Sequence, residues 1–589
     1  YKYLDPSRQE IRLLILAPGT ADEPVRGTLR HVGLLEDPYP AYETVSYVWG
    51  DPTNRRAILL DGQERMVPAS SKEVLRRMRY PDRERVLWID AICINQEHPE
   101  ERGRQVAMMR LIYSSAVTNL IWLGEDEGTT GTAVESIQAI YDEVRTETNN
   151  FSDFTFTICD RQGRRQFSDT GLTTTAYDPS ALLTYFSSSW FTRVWVVQEA
   201  ALAPKSIFYR GDHATPLEDV LRVASWLFYK QRFLPWTTNH TGLNNAAILS
   251  NSADDECGID NVRNRLLPDM RIFILGFLDS LQDFGAYELK DHVYGLLGLF
   301  QKFARTKDLP PGLTPDYVCS LGTTLARASR FATEERGDLE MLRFVSHLPS
   351  DGQGEGEAHI PSWVPYWHRR TDVPGEPAGL EILSHKQFFK ADEGRGMQLS
   401  AEDPERPTVL SLRGFQFQTV KSVAPVVMGK SWESVKEMKE LMTVLDGFFD
   451  ENMVVGDGQN EDEIRGATLT FELDWSSWSR LSRPDAAVRY RAFASYLAET
   501  ADERLPEPGE GANEAVADFQ SAMRNAVRNR RVFVTAEGKA GVGPQMMREG
   551  DAVVVLFGCR WPVVLREVEG GWEMVGLGYV FGEMDGEAV

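Results

Sequence analysis

Val86-Leu87-Trp88-Ile89-Asp90, continued by Ala91-Ile92-Cys93-Ile94-Asn95-Gln96, is an apolar run that ends in a polar loop. Four apolar residues without alternation suit a strand covered on both faces, as in a parallel sheet. A helix is expected from about Pro99, where proline fits the first turn and Glu97, Glu100 and Glu101 suit its positive end. Val106, Met109, Tyr113 and Ala116 give that helix an inward stripe. Residues 119–123 then read as a second buried strand, stopped at Gly124-Glu125-Asp126. Strand, loop, helix, strand is the repeating unit of an α/β sheet.

The pattern extends both ways. Upstream, residues 11–16 and 44–48 read as strands, the second ending in the turn Trp49-Gly50-Asp51-Pro52. Residues 57–60 form another, followed by Asp61-Gly62, a hairpin turn. Ser70-Ser71-Lys72-Glu73 has capping-box spacing and should open a helix running to about Met78. Downstream, residues 125–180 read as an insertion with one helix and an irregular polar stretch. Ser188 or Ser189 is expected to cap a helix through about Leu202, and residues 206–209 give a short strand. The expectation is a parallel doubly wound sheet over residues 1–215, then a mostly helical region over 216–400. Residues 401–589 read as a separate α+β domain. Residues 408–413 and 551–556 are its strand candidates, 431–449 and 485–499 its helices, and 561–587 a β-meander or small barrel.

Bulk composition narrows the function. The 589 residues are 42% hydrophobic with 14 tryptophans, which suits packed cores. The net charge is −24, and nonspecific nucleic-acid binding needs a basic footprint, so that class is disfavoured. Five scattered cysteines without a CxxC pair support neither a disulfide framework nor a cysteine-rich zinc site, and suit a reducing, cytoplasmic setting. No apolar stretch is long enough to span a bilayer. The chain opens at Tyr1 without a methionine, which leaves room for an upstream segment. Phosphate-loop, H-E-x-x-H and G-x-S-x-G motifs are absent, and nine histidines lack ligand spacing, so no metal is indicated.

Several segments together resemble one family. Glu43-Thr-Val-Ser-Tyr-Val-Trp-Gly50 is similar to the opening motif of fungal heterokaryon incompatibility (HET) domains, and Leu87-Trp-Ile-Asp-Ala-Ile-Cys-Ile-Asn-Gln96 to their most distinctive one. The stretch from Glu101 to Tyr113, then Leu120-Ile-Trp-Leu-Gly124 and Trp190-Phe-Thr-Arg-Val-Trp-Val-Val-Gln-Glu199, follow in the family's order. Asp291-His-Val-Tyr-Gly-Leu-Leu-Gly298, Pro361-Ser-Trp-Val-Pro365 and Gly582-Glu-Met-Asp-Gly-Glu587 resemble segments common downstream in such proteins. The resemblance implies allorecognition, that is, non-self recognition with programmed cell death. It also implies a TIR-like, flavodoxin-like domain that self-associates and, in many TIR domains, cleaves NAD⁺. The TIR glutamate lies in a W-C-x-x-E pattern. Trp195-Val-Val-Gln-Glu199 keeps Trp and Glu at that offset, with Val196 in place of the cysteine.

In open α/β sheets ligands bind beyond the carboxyl ends of the strands. Ser46, Tyr47, Trp49, Gly50 and Asp51 are candidates there, as are Asp90, Cys93, Asn95 and Gln96, and Gly124, Glu125 and Asp126, with Glu199 and Trp195 from a neighbouring helix. Glu199 is the catalytic candidate, since a carboxylate facing ribose can stabilise an oxocarbenium-like centre while nicotinamide leaves neutral. Each also has a structural reading: Glu199 as an internal polar contact, Asp90 as a turn cap, Cys93 as a small buried hydrophobe, Arg193 as solvated or ion-paired. Three functions stay open: an NAD⁺ hydrolase needing no cofactor, a noncatalytic homotypic signalling module, and a nucleoside-processing hydrolase. The C-terminal region is expected to bind a protein partner and to restrain the first domain, so that a chain ending near residue 215 would be more toxic than the whole.

Overall fold

The computed structural model describes residues 1–589 apart from 21–22, 37, 149–171, 231–233, 239, 254–273, 305, 307, 346–359, 369–387, 402–405, 428–431, 433, 475–478, 501–504 and 507–513. The chain forms two compact units. The first is Tyr1–Ser320 with Trp367–Arg369, the second Leu321–Tyr366 with Arg370–Val589.

The first unit is built on nine strands: β1 (Glu10–Leu16), β2 (Arg26–Gly33), β3 (Glu43–Tyr47), β4 (Arg55–Leu60), β5 (Gln63–Pro68), β6 (Arg85–Trp88), β7 (Thr118–Trp122), β8 (Ser206–Arg210) and β9 (His213–Pro216). They lie side by side in the order β5-β4-β2-β1-β6-β3-β7-β8-β9. The sheet is mixed, which corrects the expectation of a parallel one. β6, β3, β7 and β8 run parallel. β1 is antiparallel to both β2 and β6, and β9 is antiparallel to β8. The reason lies in β2, whose alternating exposed and half-buried residues suit a strand with one wet face and carry no continuous apolar signal. Within the parallel core the chain order is second, first, third, fourth. The connections therefore reverse direction beside β3, which puts the topological switch point at the β3 and β7 carboxyl ends.

Helices cover this sheet: α1 (Ala69–Met78), a single turn α2 (Asp90–Cys93), α3 (Pro99–Ala107), α4 (Met109–Ser114), α5 (Thr130–Glu147), α6 (Pro179–Phe186), α7 (Trp195–Leu202), α8 (Leu217–Tyr229) and α9 (Thr241–Ala253). α10 (Ile274–Ser280), α11 (Asp291–Tyr294) and α12 (Leu297–Ala304) follow. Three local expectations need correction. Ser70 does not cap α1. That helix begins one residue earlier, and the Ser70 hydroxyl donates to the Trp49 carbonyl at 2.6 Å. Residues 90–93 wind into a turn of helix rather than an open loop. The helix expected from Ser188 to Leu202 is broken: Ser188 caps a 3₁₀ turn over Ser189–Thr192, Arg193 is extended, and α7 starts at Trp195.

The second unit holds α13 (Leu321–Arg336), α14 (Val435–Asn452), α15 (Glu461–Thr470), α16 (Arg483–Glu499) and α17 (Glu514–Val527). Its main sheet has seven antiparallel strands in the order β17-β16-β15-β10-β13-β14-β18. These are β10 (Gly414–Val423), β13 (Arg530–Thr535), β14 (Ala540–Pro544), β15 (Ala552–Leu556), β16 (Val563–Val568), β17 (Gly571–Leu577) and β18 (Tyr579–Val580), with a two-stranded ribbon of β11 (Leu473–Asp474) and β12 (Ser479–Arg480) beside it. The first strand begins at Gly414, not in 408–413 as expected. At Gly576 a Cβ would lie 2.6 Å from the Pro544 ring, so β17 approaches β14 and the sheet rolls around an apolar core that includes Val420, Phe533, Val553 and Val564.

Candidate functional site

Side chains alternate across a strand, so residues two apart face the same side. On β3, Thr44 and Ser46 face α7, while Tyr47 turns the other way, where its hydroxyl shares a hydrogen bond of 2.7 Å with Ser71 on α1. The α7 side carries a polar ladder inside the core. The Thr44 hydroxyl donates to Asn119 Oδ1 at 3.1 Å, and Asn119 Nδ2 donates to the Glu199 carbonyl at 3.0 Å. The Ser46 hydroxyl donates to the Glu199 carboxylate, and Trp190 Nε1 donates to Ser46 Oγ at 2.7 Å. Glu199 is 3% exposed. Burial is the main reason its carboxyl is pushed up to about 7, against the pull of Arg193 and the Ser46 hydrogen bond, with Asp90 adding to the rise. The group thus sits between its two protonation states at neutral pH.

A second cluster forms at the ends of β3 and β6. Trp49 Nε1 donates to the Asp90 carboxylate at 2.9 Å, and the Ala91 amide donates to it at 2.7 Å. Gln96 Nε2 donates to the Asp90 carbonyl at 3.0 Å. Asp90 therefore holds the next amide of the turn it opens, and it is also held by an indole. Burial raises its pKa, and Arg193 opposes the rise. Arg193 joins the two clusters: its guanidinium donates to the Tyr47 carbonyl and acts electrostatically on Glu199, Asp90 and Tyr47. Burial, with Asp90 beside it, holds the Tyr47 phenol well above its ordinary range.

The remaining candidates lie apart from the carboxylate. Asp51 accepts from the amide and hydroxyl of Thr53 in its own exposed turn, after Gly50 at φ 68°. Asn95 Oδ1 accepts from the Glu97 amide, again within a turn. Trp195, though four residues from Glu199, donates from Nε1 to Asp291 at 3.0 Å. Cys93 is buried with its thiol pushed up to about 12, and His98 Nδ1 accepts from the Glu101 amide, so no Cys–His pair forms. Sequence reading counted Ser46 among the strand-end candidates, passed over Trp190 as a functional residue, and gave Arg193 as solvated or ion-paired. The signal for Trp190 and Arg193 was present in Trp190-Phe-Thr-Arg193, but their partners lie more than a hundred residues away. Among the described residues, no group of three His, Cys, Asp or Glu is placed to hold a metal, and no helix is long and apolar enough to cross a membrane.

A buried carboxylate at the switch point of a mixed α/β sheet, followed by a unit of helices on a rolled antiparallel sheet, defines a two-part α/β and α+β protein with this polar centre in the first part. The heterokaryon incompatibility protein (HET) family matches residues 42–199, and the Het-6 beta-barrel domain family matches residues 485–589. Heterokaryon incompatibility protein 6, OR allele, of Neurospora crassa is 24% identical over 669 aligned residues, covering 99% of this chain and 95% of that protein. No solved structure matches. The chain thus carries a HET-family segment in its first unit and a Het-6 beta-barrel segment in its second.

Proposed function

We propose that this chain acts in non-self recognition leading to cell death, and that its first unit is a TIR-like domain that hydrolyses NAD⁺ through Glu199. The name of the Neurospora relative supports the first part. For the second, the order of the parallel strands matches that of flavodoxin-like sheets, whose ligands sit at this switch point. The observation that carries the reading is Glu199 itself: a carboxylate at that switch point, pushed up to about 7 by burial, beside Ser46 and Arg193.

The chemistry follows from that placement. The bond between ribose C1′ and the nicotinamide nitrogen breaks, and its electron pair leaves with nicotinamide as a neutral base. Ionised Glu199 stabilises the oxocarbenium-like ribosyl centre. Water adds at C1′ and loses a proton, giving ADP-ribose. Arg193 is suited to a phosphate oxygen and Trp49 to a stacking surface. The test is NAD⁺ loss and nicotinamide release by the full chain at high concentration, with Glu199→Gln beside it. Turnover in the wild type and its loss in the variant are expected. Equal turnover in both would remove Glu199 from the mechanism.

One observation favours a second reading. Glu199 is almost fully enclosed and already holds the Ser46 hydroxyl, as a structural node would. On that reading the domain signals by self-association alone and the C-terminal unit binds a protein partner. Assembly of the full chain with no NAD⁺ loss would support it.

A further inference from the structure

We infer that residues 285–298, outside the stretch matched by the HET family, form the second half of this site, with Asp291 as a positioning residue for Arg193 and Glu199. The inference rests on the proposed role of Glu199 and extends it. It starts at the break before α7, where Arg193 lies. The Val194 amide donates to the Gly285 carbonyl at 2.9 Å, and the Gly285 amide donates back to the Thr192 carbonyl at 2.5 Å. The residue that joins the two polar clusters is therefore pinned through its backbone neighbours.

The helix that carries Glu199 is fixed next. Asp291 is buried, and its two carboxylate oxygens are both engaged. One accepts from Trp195 Nε1 at 3.0 Å, the other from the Tyr317 hydroxyl at 2.7 Å. The Arg102 guanidinium lies 3.6 Å from the Tyr317 ring centroid and holds that tyrosine in turn. One turn further along α7, Gln198 Nε2 donates to the Tyr294 carbonyl at 2.9 Å, and its Oε1 accepts from the Gly298 amide at 2.8 Å. Lys302 Nζ then donates to the Ala201 carbonyl at 3.0 Å, near the carboxyl end of α7.

This accounts for Asp291-His-Val-Tyr-Gly-Leu-Leu-Gly298. A Cβ at Gly298 would lie 2.1 Å from Gln198 Oε1 and 2.8 Å from Leu202, and one at Gly295 would lie 3.2 Å from both Val194 methyls. The two glycines let the segment close on α7, and Asp291 supplies its directional bond. α7 is thereby held between this segment and β3, so that Glu199 meets Ser46 and Arg193 meets Tyr47.

The test uses the full chain with Asp291→Ala, Asp291→Asn and Gly298→Ala, read by deuterium uptake and by nicotinamide release. Asp291→Ala and Gly298→Ala should speed amide exchange over residues 189–202 by about tenfold or more, with β1 and the second unit unchanged. Asp291→Asn should restore protection, since its amide oxygen accepts from Trp195 and its NH₂ donates to Tyr317. Where NAD⁺ is turned over, Asp291→Ala should lower kcat about tenfold with KM near the wild-type value. Unchanged exchange over 189–202, loosening spread evenly across the first unit, or no rescue by asparagine would each overturn the inference. If no form consumes NAD⁺, the proposed activity fails and exchange alone decides the positioning. If Glu199→Gln abolishes turnover while Asp291→Ala does not alter it, the positioning role fails and the activity stands.

Discussion

Glu199 makes a statement about stability as well as chemistry. Its carboxyl, pushed from the ordinary 4.5 up to about 7 by burial, keeps its proton longer in the folded chain than in the unfolded one. Below about pH 4.5 both states are protonated and the group costs nothing. Between there and about 7 the unfolded state releases its proton first, so stability falls as pH rises, by about 3 kcal/mol in all, and is level above. Glu199→Gln should match the wild type at about pH 4 and be more stable above 7, read from denaturant midpoints across pH. Parallel curves would show that Glu199 does not titrate in this way. The Glu199 candidate came from the resemblance of Trp195–Glu199 to the TIR glutamate pattern, and Ser46 was read as a strand-end residue. Their bond, and that of Trp190 to Ser46, was not legible, because strand alternation and a 153-residue closure, not local sequence, bring the Ser46 hydroxyl to Glu199. Asp51 and Asn95 make turn contacts, and turn chemistry and ligand chemistry favour the same residue types.

The elements were legible where periodicity is strong. The buried strands at β3, β6 and β7 lie where the pattern puts them, and Val106, Met109, Tyr113 and Ala116 are buried as expected, although the one helix expected there is two, α3 and α4, broken at Met108 with Ala116 beyond them. Asp61-Gly62 joins β4 to β5 with φ of 51° and 75°, as a type I′ hairpin requires. Gly62→Ala should cost about 1 kcal/mol at that left-handed position, read as a lowered melting temperature; an unchanged one would place the turn outside the cooperative fold. The antiparallel flanks and the break before α7 were not legible. β2 is polar on one side, and the break depends on Gly285, distant in sequence. Gln198, fully buried and bonded through both amide atoms, tests that packing. Gln198→Ala leaves the Tyr294 carbonyl and Gly298 amide without it, for about 2–4 kcal/mol of lost stability. A loss under about 0.5 kcal/mol would mean that α7 is seated by apolar contacts alone.

At the scale of the whole chain, the first unit runs to Ser320, so a chain cut near residue 215 loses Gly285, Asp291 and Gly298 together. A chain of residues 1–320 should unfold cooperatively, whereas 1–215 should lack fixed near-ultraviolet dichroism; a cooperative transition in 1–215 would argue against the wider boundary. Release of a restrained effector is therefore tested at 320. In the second unit Glu472 is the matching node, accepting from Arg480, Arg483 and the Tyr579 hydroxyl while 2% exposed. Such a network was invisible in sequence because its members span more than a hundred residues.

The most direct test of the account is nicotinamide release by the full chain from about pH 5 to about pH 9, for the wild type and Glu199→Gln. The account predicts turnover that rises through a pKa of about 7 as Glu199 ionises, and a variant that loses this rise and stays about a hundredfold or more below the wild-type plateau. Turnover that ignores Glu199, or none in a fully assembled wild type, would contradict it.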